Sequence, residues 1–266
     1  MFAVFEKSIA KAPEELHLSS VVGRPALKSR GEIADLYRSW RPESVLYSLS
    51  NGNFMALSNE VGTPLSSPRS IVVMDDIFCL FSGALDNTCD LRRFYGLPRL
   101  ATEAMIIVEA YKVLRDRAPY PPDQVVKSLD GKFAFVLFDS RASVVFLARD
   151  SDGFVPLHWG TAADGSLICS DDPKLFSAVC GDCYTPFPPG FHFCCFAGCM
   201  FISGNGLISY DHPLHKIKSM TREDDAGNIN AVIFQVDLYT RLPSIPRTGS
   251  AANWASAAAV MADEEL

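Results

Sequence analysis

The side chains of greatest chemical reach in this 266-residue chain are its eight cysteines, its five histidines and a few charged corners. Cys180-Gly181-Asp182-Cys183 is followed by Cys194, Cys195 and Cys199, with His192 among them. These ligand types at such short spacings fit a four-coordinate structural zinc site, with Cys180, Cys183, Cys195 and Cys199 as candidate ligands. The Cys-x-x-Cys pair alone would also suit thiol redox chemistry. Phe191, Phe193 and Phe196 crowd the second half of the cluster, and free cysteines among apolar neighbours behave as small hydrophobes. Packed thiols are therefore the preferred reading, and no metal is expected. The corner Arg149-Asp150-Ser151-Asp152-Gly153 sets opposite charges beside a turn glycine. Its expected role is an ion pair that ties a hairpin to the core, because buried Arg–Asp pairs more often fix geometry than do chemistry. His158, before Trp159, reads as a packed side chain, and His212 and His215 read as turn residues flanking Pro213-Leu214. Gly204-Asn205-Gly206 is a hairpin turn, since no helix follows to complete a phosphate-binding loop. The charges of Leu114-Arg115-Asp116-Arg117 suit the C-terminal end of a helix.

The elements that must position these groups are mostly strands. Residues 2–5 form a short apolar strand. Residues 31–40 place Ile33, Leu36, Tyr37 and Trp40 at helical spacing, limited by Pro42. Two hairpins follow: "SVLYSLS" turning at "NGN" into "FMALSN", and "RSIVVM" turning at Asp75-Asp76 into "IFCLFSGAL". Residues 101–117 are the clearest helix, with Ala104, Ile107, Val108, Tyr111 and Leu114 on one face. "PDQVVKSL" and "DPKLFSAVC" are shorter helices; "GKFAFVLFD", "SVVFLARD", "FVPLHWGTA", "SLICSD", "CMFISGNGLISYDH" and "INAVIFQVDL" are strands. Strand pairs interrupted by a few helices, without strict alternation, predict an α+β architecture of antiparallel sheets packed face to face with helices outside. One domain is expected over 1–240, and a loosely held tail over 241–266, which is rich in Pro, Ser and Ala.

The bulk numbers exclude some functions. A net charge of -7 and a pI near 5.2, with no dense basic run, exclude a nucleic-acid partner. No stretch reaches the ~20 apolar residues of a membrane span. The start, "MFAVFEKSIAKAPEEL", is too short in its apolar run for a secretory signal, so a cytoplasmic or nuclear location with reduced thiols is expected.

A resemblance adds to this. Gly131-x-Phe133-Ala134-Phe135, then Arg149-Asp150-x-x-Gly153-x-x-Pro156-Leu157, then "FPPG" at 187–190, resemble the glutaminase domain of asparagine synthetase, as does "FSGALDN" at 81–87. "FYGLPRL" (94–100) and "YKVLRDR" (111–117) resemble the signatures of the plant aluminium-induced proteins with YGL and LRDR motifs, also described as stem-specific or auxin-downregulated. "RDSDG" and "GNGLISYDHPLHKIK" fit that family too, and the resemblance runs to about residue 240. It departs at "FHFCCFAG" (191–198), which intervenes where the family passes almost directly into the Cys-Met-Phe strand. The resemblance implies the class II glutamine amidotransferase-like group and its N-terminal-nucleophile-type αββα sandwich.

It also implies a site against which the residues can be checked. Enzymes of that group attack the glutamine amide with an N-terminal cysteine whose own α-amine is the base. Here the chain opens Met1-Phe2, and its first cysteine is Cys79. Ser8 would serve only after cleavage before it. Where the enzymes place an oxyanion-binding Asn-Gly, alignment places Ser82 and Gly83; Ala84 replaces a pocket Glu. Glu103 falls where an Asp grips the substrate amine, and "MALSNEVG" supplies no arginine for the substrate carboxylate. The expectation is a noncatalytic amidotransferase-like protein with a stress- or hormone-responsive regulatory or interaction role. It would keep a remnant pocket of Phe2, Ser82, Gly83, Ala84 and Glu103 for a small amino acid, act with a protein partner or as a homodimer, and use no cofactor. The alternatives are a glutamine hydrolase activated by N-terminal processing or an atypical nucleophile, and a zinc or redox protein built on the cysteine cluster.

Overall fold

Phe133 to Phe138 form an unbroken apolar run with every side chain buried, so their strand must be covered on both faces. The computed structural model describes residues 1–17, 28–58, 68–116, 122–179, 184–188, 191–192, 195–196, 198–223 and 229–241, and supplies those two covers. In chain order the elements are β1 (Phe2–Phe5), α1 (Arg30–Trp40), β2 (Val45–Ser48), β3 (Phe54–Leu57), β4 (Arg69–Met74) and β5 (Ile77–Leu85). Next come α2 (Thr88–Phe94), α3 (Glu103–Asp116), α4 (Pro122–Lys127), β6 (Gly131–Asp139), β7 (Val144–Arg149), β8 (His158–Thr161) and β9 (Leu167–Ser170). The last are α5 (Pro173–Val179), β10 (Tyr184–Pro186), β11 (Phe191–His192), β12 (Cys195–Phe196), β13 (Cys199–Ile202), β14 (Gly206–Ser209), β15 (His215–Glu223) and β16 (Ile229–Arg241).

Two six-stranded sheets form, ordered β10-β8-β9-β1-β3-β2 and β14-β13-β7-β6-β5-β4, and each neighbouring pair is antiparallel. Alternate side chains leave a strand on opposite faces, which sorts the core into three layers. Ala3, Phe5, Met55, Leu80, Val136, Leu147 and Trp159 fill the space between the sheets. Phe2, Val4 and Phe54, on the other face of the first sheet, pack against Ile33 and Tyr37 of α1 and Phe176 of α5. Phe81, Phe135 and Phe146, on the outer face of the second sheet, meet Leu91 of α2, Ile107 and Tyr111 of α3 and Val126 of α4. The result is the expected four-layer αββα sandwich. Each large side chain so buried contributes roughly 1.5–3 kcal/mol of transfer free energy.

The two expected hairpins form. Asp75 and Asp76, both at positive φ, make the tight turn between β4 and β5. Five elements were not legible as such: α2, β10, β11, β12 and β15. The 191–198 segment contributes the two-residue pairing of β11 with β12. The expected tail lies, beyond Arg241, outside the described residues. Among the described residues no helix is long and apolar enough to cross a membrane.

Candidate functional site

β1 lies between β9 and β3, so the residue before it ends a central strand of the first sheet. That residue is Met1. Its side chain enters the core between the sheets. Its carbonyl accepts from Ser170 Oγ at 3.0 Å and from the Asp171 backbone N–H at 3.4 Å. Its α-amine donates to Asp171 Oδ1 at 2.6 Å, and neither partner reaches solvent appreciably. Arg69 Nε, from the start of β4 on the other sheet, stands 2.9 Å from Asp171 Oδ2. That approach is off-axis, so neither atom has a well-formed hydrogen bond. Burial, helped by the positive Arg69 and opposed by Asp171, lowers the Met1 amine pKa from the ordinary 8.0.

These groups wall a pocket of about 230 Å³ that also takes in Tyr37, Arg41, Asp172 and Lys174. Arg41 lies 3.3 Å from Asp172, whose Oδ1 accepts the Lys174 backbone N–H at 2.9 Å. Burial, with the charge of Asp171, pushes the Tyr37 hydroxyl up to about 12, so it remains a neutral donor. The pocket sets cations and carboxylates side by side, which is the charge pattern a zwitterion complements. What it lacks in its lining is a thiol or hydroxyl on the residue that carries the amine: methionine's thioether has no proton to give up.

The residues expected to form a remnant pocket divide. Phe2 turns to the α1 side, stacked on Tyr37 with ring centres 5.1 Å apart, so Met1 and not Phe2 occupies the pocket. Ser82 is buried on β5 directly opposite Arg69. Gly83 follows at φ +115, and its backbone N–H goes to the Pro68 carbonyl at 2.8 Å. A side chain there would strike the carbonyl of Lys132, so this glycine serves the close approach of β5 to β6. Ala84 is exposed, and Glu103 opens α3 in the helix layer over the second sheet. Neither lines the amine pocket. Arginine facing the amine was not found by position in the sequence; the structure supplies Arg69 and Arg41. The carboxylate on the amine is Asp171. Arg69 left one signal, a charge opening a mostly apolar strand directly after Pro68.

The Arg149-Asp150 corner is buried, but the expected ion pair between the two is replaced by side-chain to backbone bonds. Arg149 donates to the carbonyls of Phe187 (3.0 Å) and Gly153. Asp150 accepts from the backbone N–H groups of Phe133 (3.2 Å), Phe154 (2.9 Å) and Val155 (3.4 Å). Both side chains thus bind the backbone at 153–155, and they tie that loop to Phe133 of β6 and to Phe187. His158 packs against Phe176 and Tyr184, and burial lowers its pKa from 6.5. His212 lies in the turn as expected, but His215 opens β15, and its Nδ1 lies 3.2 Å from the Asp237 carbonyl of β16. Of the cysteine cluster, Cys180, Cys183 and Cys194 lie outside the described residues, as does the side chain of Cys195. Cys199 is buried between the sheets, where burial pushes its thiol up to about 12. Among the described residues no group of three or more His, Cys, Asp or Glu could hold a metal ion.

Comparison with known proteins finds the following relatives. The chain is 64% identical over 150 residues to the stem-specific protein TSJT1 of Nicotiana tabacum, covering 56% of this chain and all of that protein. It is 45% identical over 73 residues to a probable glutamine-hydrolysing asparagine synthetase of Dictyostelium discoideum, covering 27% of this chain and 13% of that one. A glutamine phosphoribosylpyrophosphate amidotransferase structure from B. subtilis superposes with a TM-score of 0.39 at 13% identity, over 59% of this chain and 34% of that chain. The chain is thus glutamine amidotransferase-like in its relationships and spans only a small part of the synthetases it resembles. The model of the aluminium-induced proteins matches residues 2–236, and the chain belongs to that family.

Proposed function

We propose that this protein is a noncatalytic member of the amidotransferase-like group, which binds a small amino acid at the Met1 amine and passes that state to a protein partner in a stress- or hormone-responsive role. One observation carries the reading: the buried amine belongs to a methionine, with no nucleophilic atom on the residue that bears it. Loss of Met1 would expose Phe2, which has no nucleophile either. Cleavage before Ser8 would delete all of β1 from between β9 and β3 and leave the first sheet split. The described cysteines offer no substitute, because Cys79, Cys169 and Cys199 are buried and Cys89 lies on α2, outside the pocket. The pocket's mixed charge supports a zwitterionic ligand, its carboxylate toward Arg69 and Arg41 and its ammonium toward Asp172.

The test pairs two measurements on one sample of purified protein: glutamate release from glutamine, and calorimetric titration with glutamine and other free amino acids. The reading expects saturable amino-acid binding with no turnover, and weaker binding on Arg41→Gln. Turnover above a heat-inactivated control would overturn the noncatalytic half, and absence of saturable amino-acid binding would overturn the ligand half.

A further inference from the structure

The Tyr95-Gly96-Leu97 motif is a helix stop with a second consequence. Gly96, at φ +67, donates its N–H to the Arg93 carbonyl at 3.4 Å, and Leu97 donates to the Arg92 carbonyl at 2.8 Å. These two bonds are a left-handed C-terminal cap of α2. Tyr95 and Leu97 pack onto the core of the second sheet, which anchors the turn. The chain then folds back. Arg92 Nε and Nη2 both donate to the Ala101 carbonyl, at 2.9 and 2.7 Å, and this fork closes the 97–101 loop over the helix end.

That closure brings Arg92, Arg93 and Arg99 around one concavity of about 430 Å³, completed by Cys89 and Leu97. Among the described residues no carboxylate lines it. Arg93 and Arg99 make no ion pair among the described residues, and Arg92 keeps Nη1 unspent after holding Ala101. Three guanidinium groups gathered without a counter-charge repel one another. Here they are gathered by a rigid cap and a forked bond, in a chain whose overall charge is -7. The volume falls in the ~300–1,000 Å³ range of small-molecule sites. A single carboxylate engages one guanidinium fork, whereas a tetrahedral dianion can accept from several at once.

We propose that this concavity is a binding site for a phosphorylated small molecule, its phosphoryl group held by Arg92, Arg93 and Arg99. The site stands apart from the amine pocket and does not depend on the function read from it. Leu97 forms its apolar wall, and Cys89, an exposed free thiol, lies within the occupied space. A bound ligand therefore shields that thiol.

The full chain is titrated calorimetrically with inorganic pyrophosphate, with sulfate as the competing tetrahedral anion. Alkylation of Cys89 by iodoacetamide is followed by peptide mass in parallel. The expected result is one saturable site that prefers pyrophosphate to sulfate, with Cys89 alkylation slowed when pyrophosphate is bound. Affinity falls on the order of tenfold or more in Arg93→Gln/Arg99→Gln, a variant whose thermal unfolding should match the parent because neither side chain holds structure. The proposal is overturned if pyrophosphate does not saturate, if sulfate binds equally well, if the double variant binds unchanged, or if Cys89 reacts equally fast with and without ligand.

Discussion

At the residue scale, Asp171 holds the Met1 amine and faces Arg69 from the opposite sheet. Replacing it with Asn removes the carboxylate that both the Met1 amine and Arg69 face. Breaking a buried pair in this way costs about 3–5 kcal/mol, so Asp171→Asn should unfold at markedly lower urea concentration, which a denaturation midpoint reads directly. His158 makes a prediction in pH. Burial, with Arg149 adding to it, lowers its folded pKa below the ordinary 6.5. Between those two values the unfolded chain binds the extra proton, so stability is full above about 6.5 and declines as pH falls toward the folded value. In His158→Tyr that component of the acid limb should vanish, and parallel thermal melts of the two proteins between pH 5 and pH 7 measure it. None of these partnerships was legible in the sequence. Asp171 and Met1 are 170 positions apart, and Arg69 reaches them from another sheet. Pairing that distant is decided by how layers pack, which periodicity does not encode.

At the element scale, the two family motifs have different mechanical roles. In Leu114-Arg115-Asp116-Arg117, Arg115 reaches from the end of α3 to Asp139 at 3.2 Å. Asp139 also accepts from Tyr111 Oη at 3.1 Å and from the backbone N–H groups of Arg141 (3.0 Å) and Ala142 (2.9 Å). One fully buried carboxylate thus fixes the turn between β6 and β7 and ties it to α3. Asp139→Ala strands several donors and should cost about 3 kcal/mol or more, whereas Tyr111→Phe removes one hydrogen bond at about 1 kcal/mol. Chemical denaturation of both variants separates these values. Gly96→Ala meets no atom within 4 Å but must hold φ +67, so it should cost about 1–2 kcal/mol through backbone strain alone. The helices α1 and α3 were plain in the sequence because their apolar residues repeat on one face. α2 was not: it has seven residues and a single buried one, Leu91, which leaves no period to read. β15 alternates Ile217 with exposed Lys216 and Lys218, too few apolar residues to mark it as a strand without its partner β16.

At the scale of the whole molecule, the sandwich itself followed from its strand pairs, because doubly covered strands such as β6 leave little choice but a buried sheet. The motif resemblance located the fold but placed the pocket only in part: Ser82 and Gly83 neighbour it through Arg69, while Ala84 and Glu103 lie elsewhere. The account rests on the buried Met1 amine, held by Asp171 and carried by a residue without a nucleophilic side chain. The most direct test is glutamate release from glutamine by purified protein, with the N-terminal residue read by intact mass in the same sample. The account predicts no release above a heat-inactivated control, with Met1 in place. Sustained release that tracks the folded protein would contradict it, and a shortened N-terminus in that sample would identify the residue to test next as nucleophile.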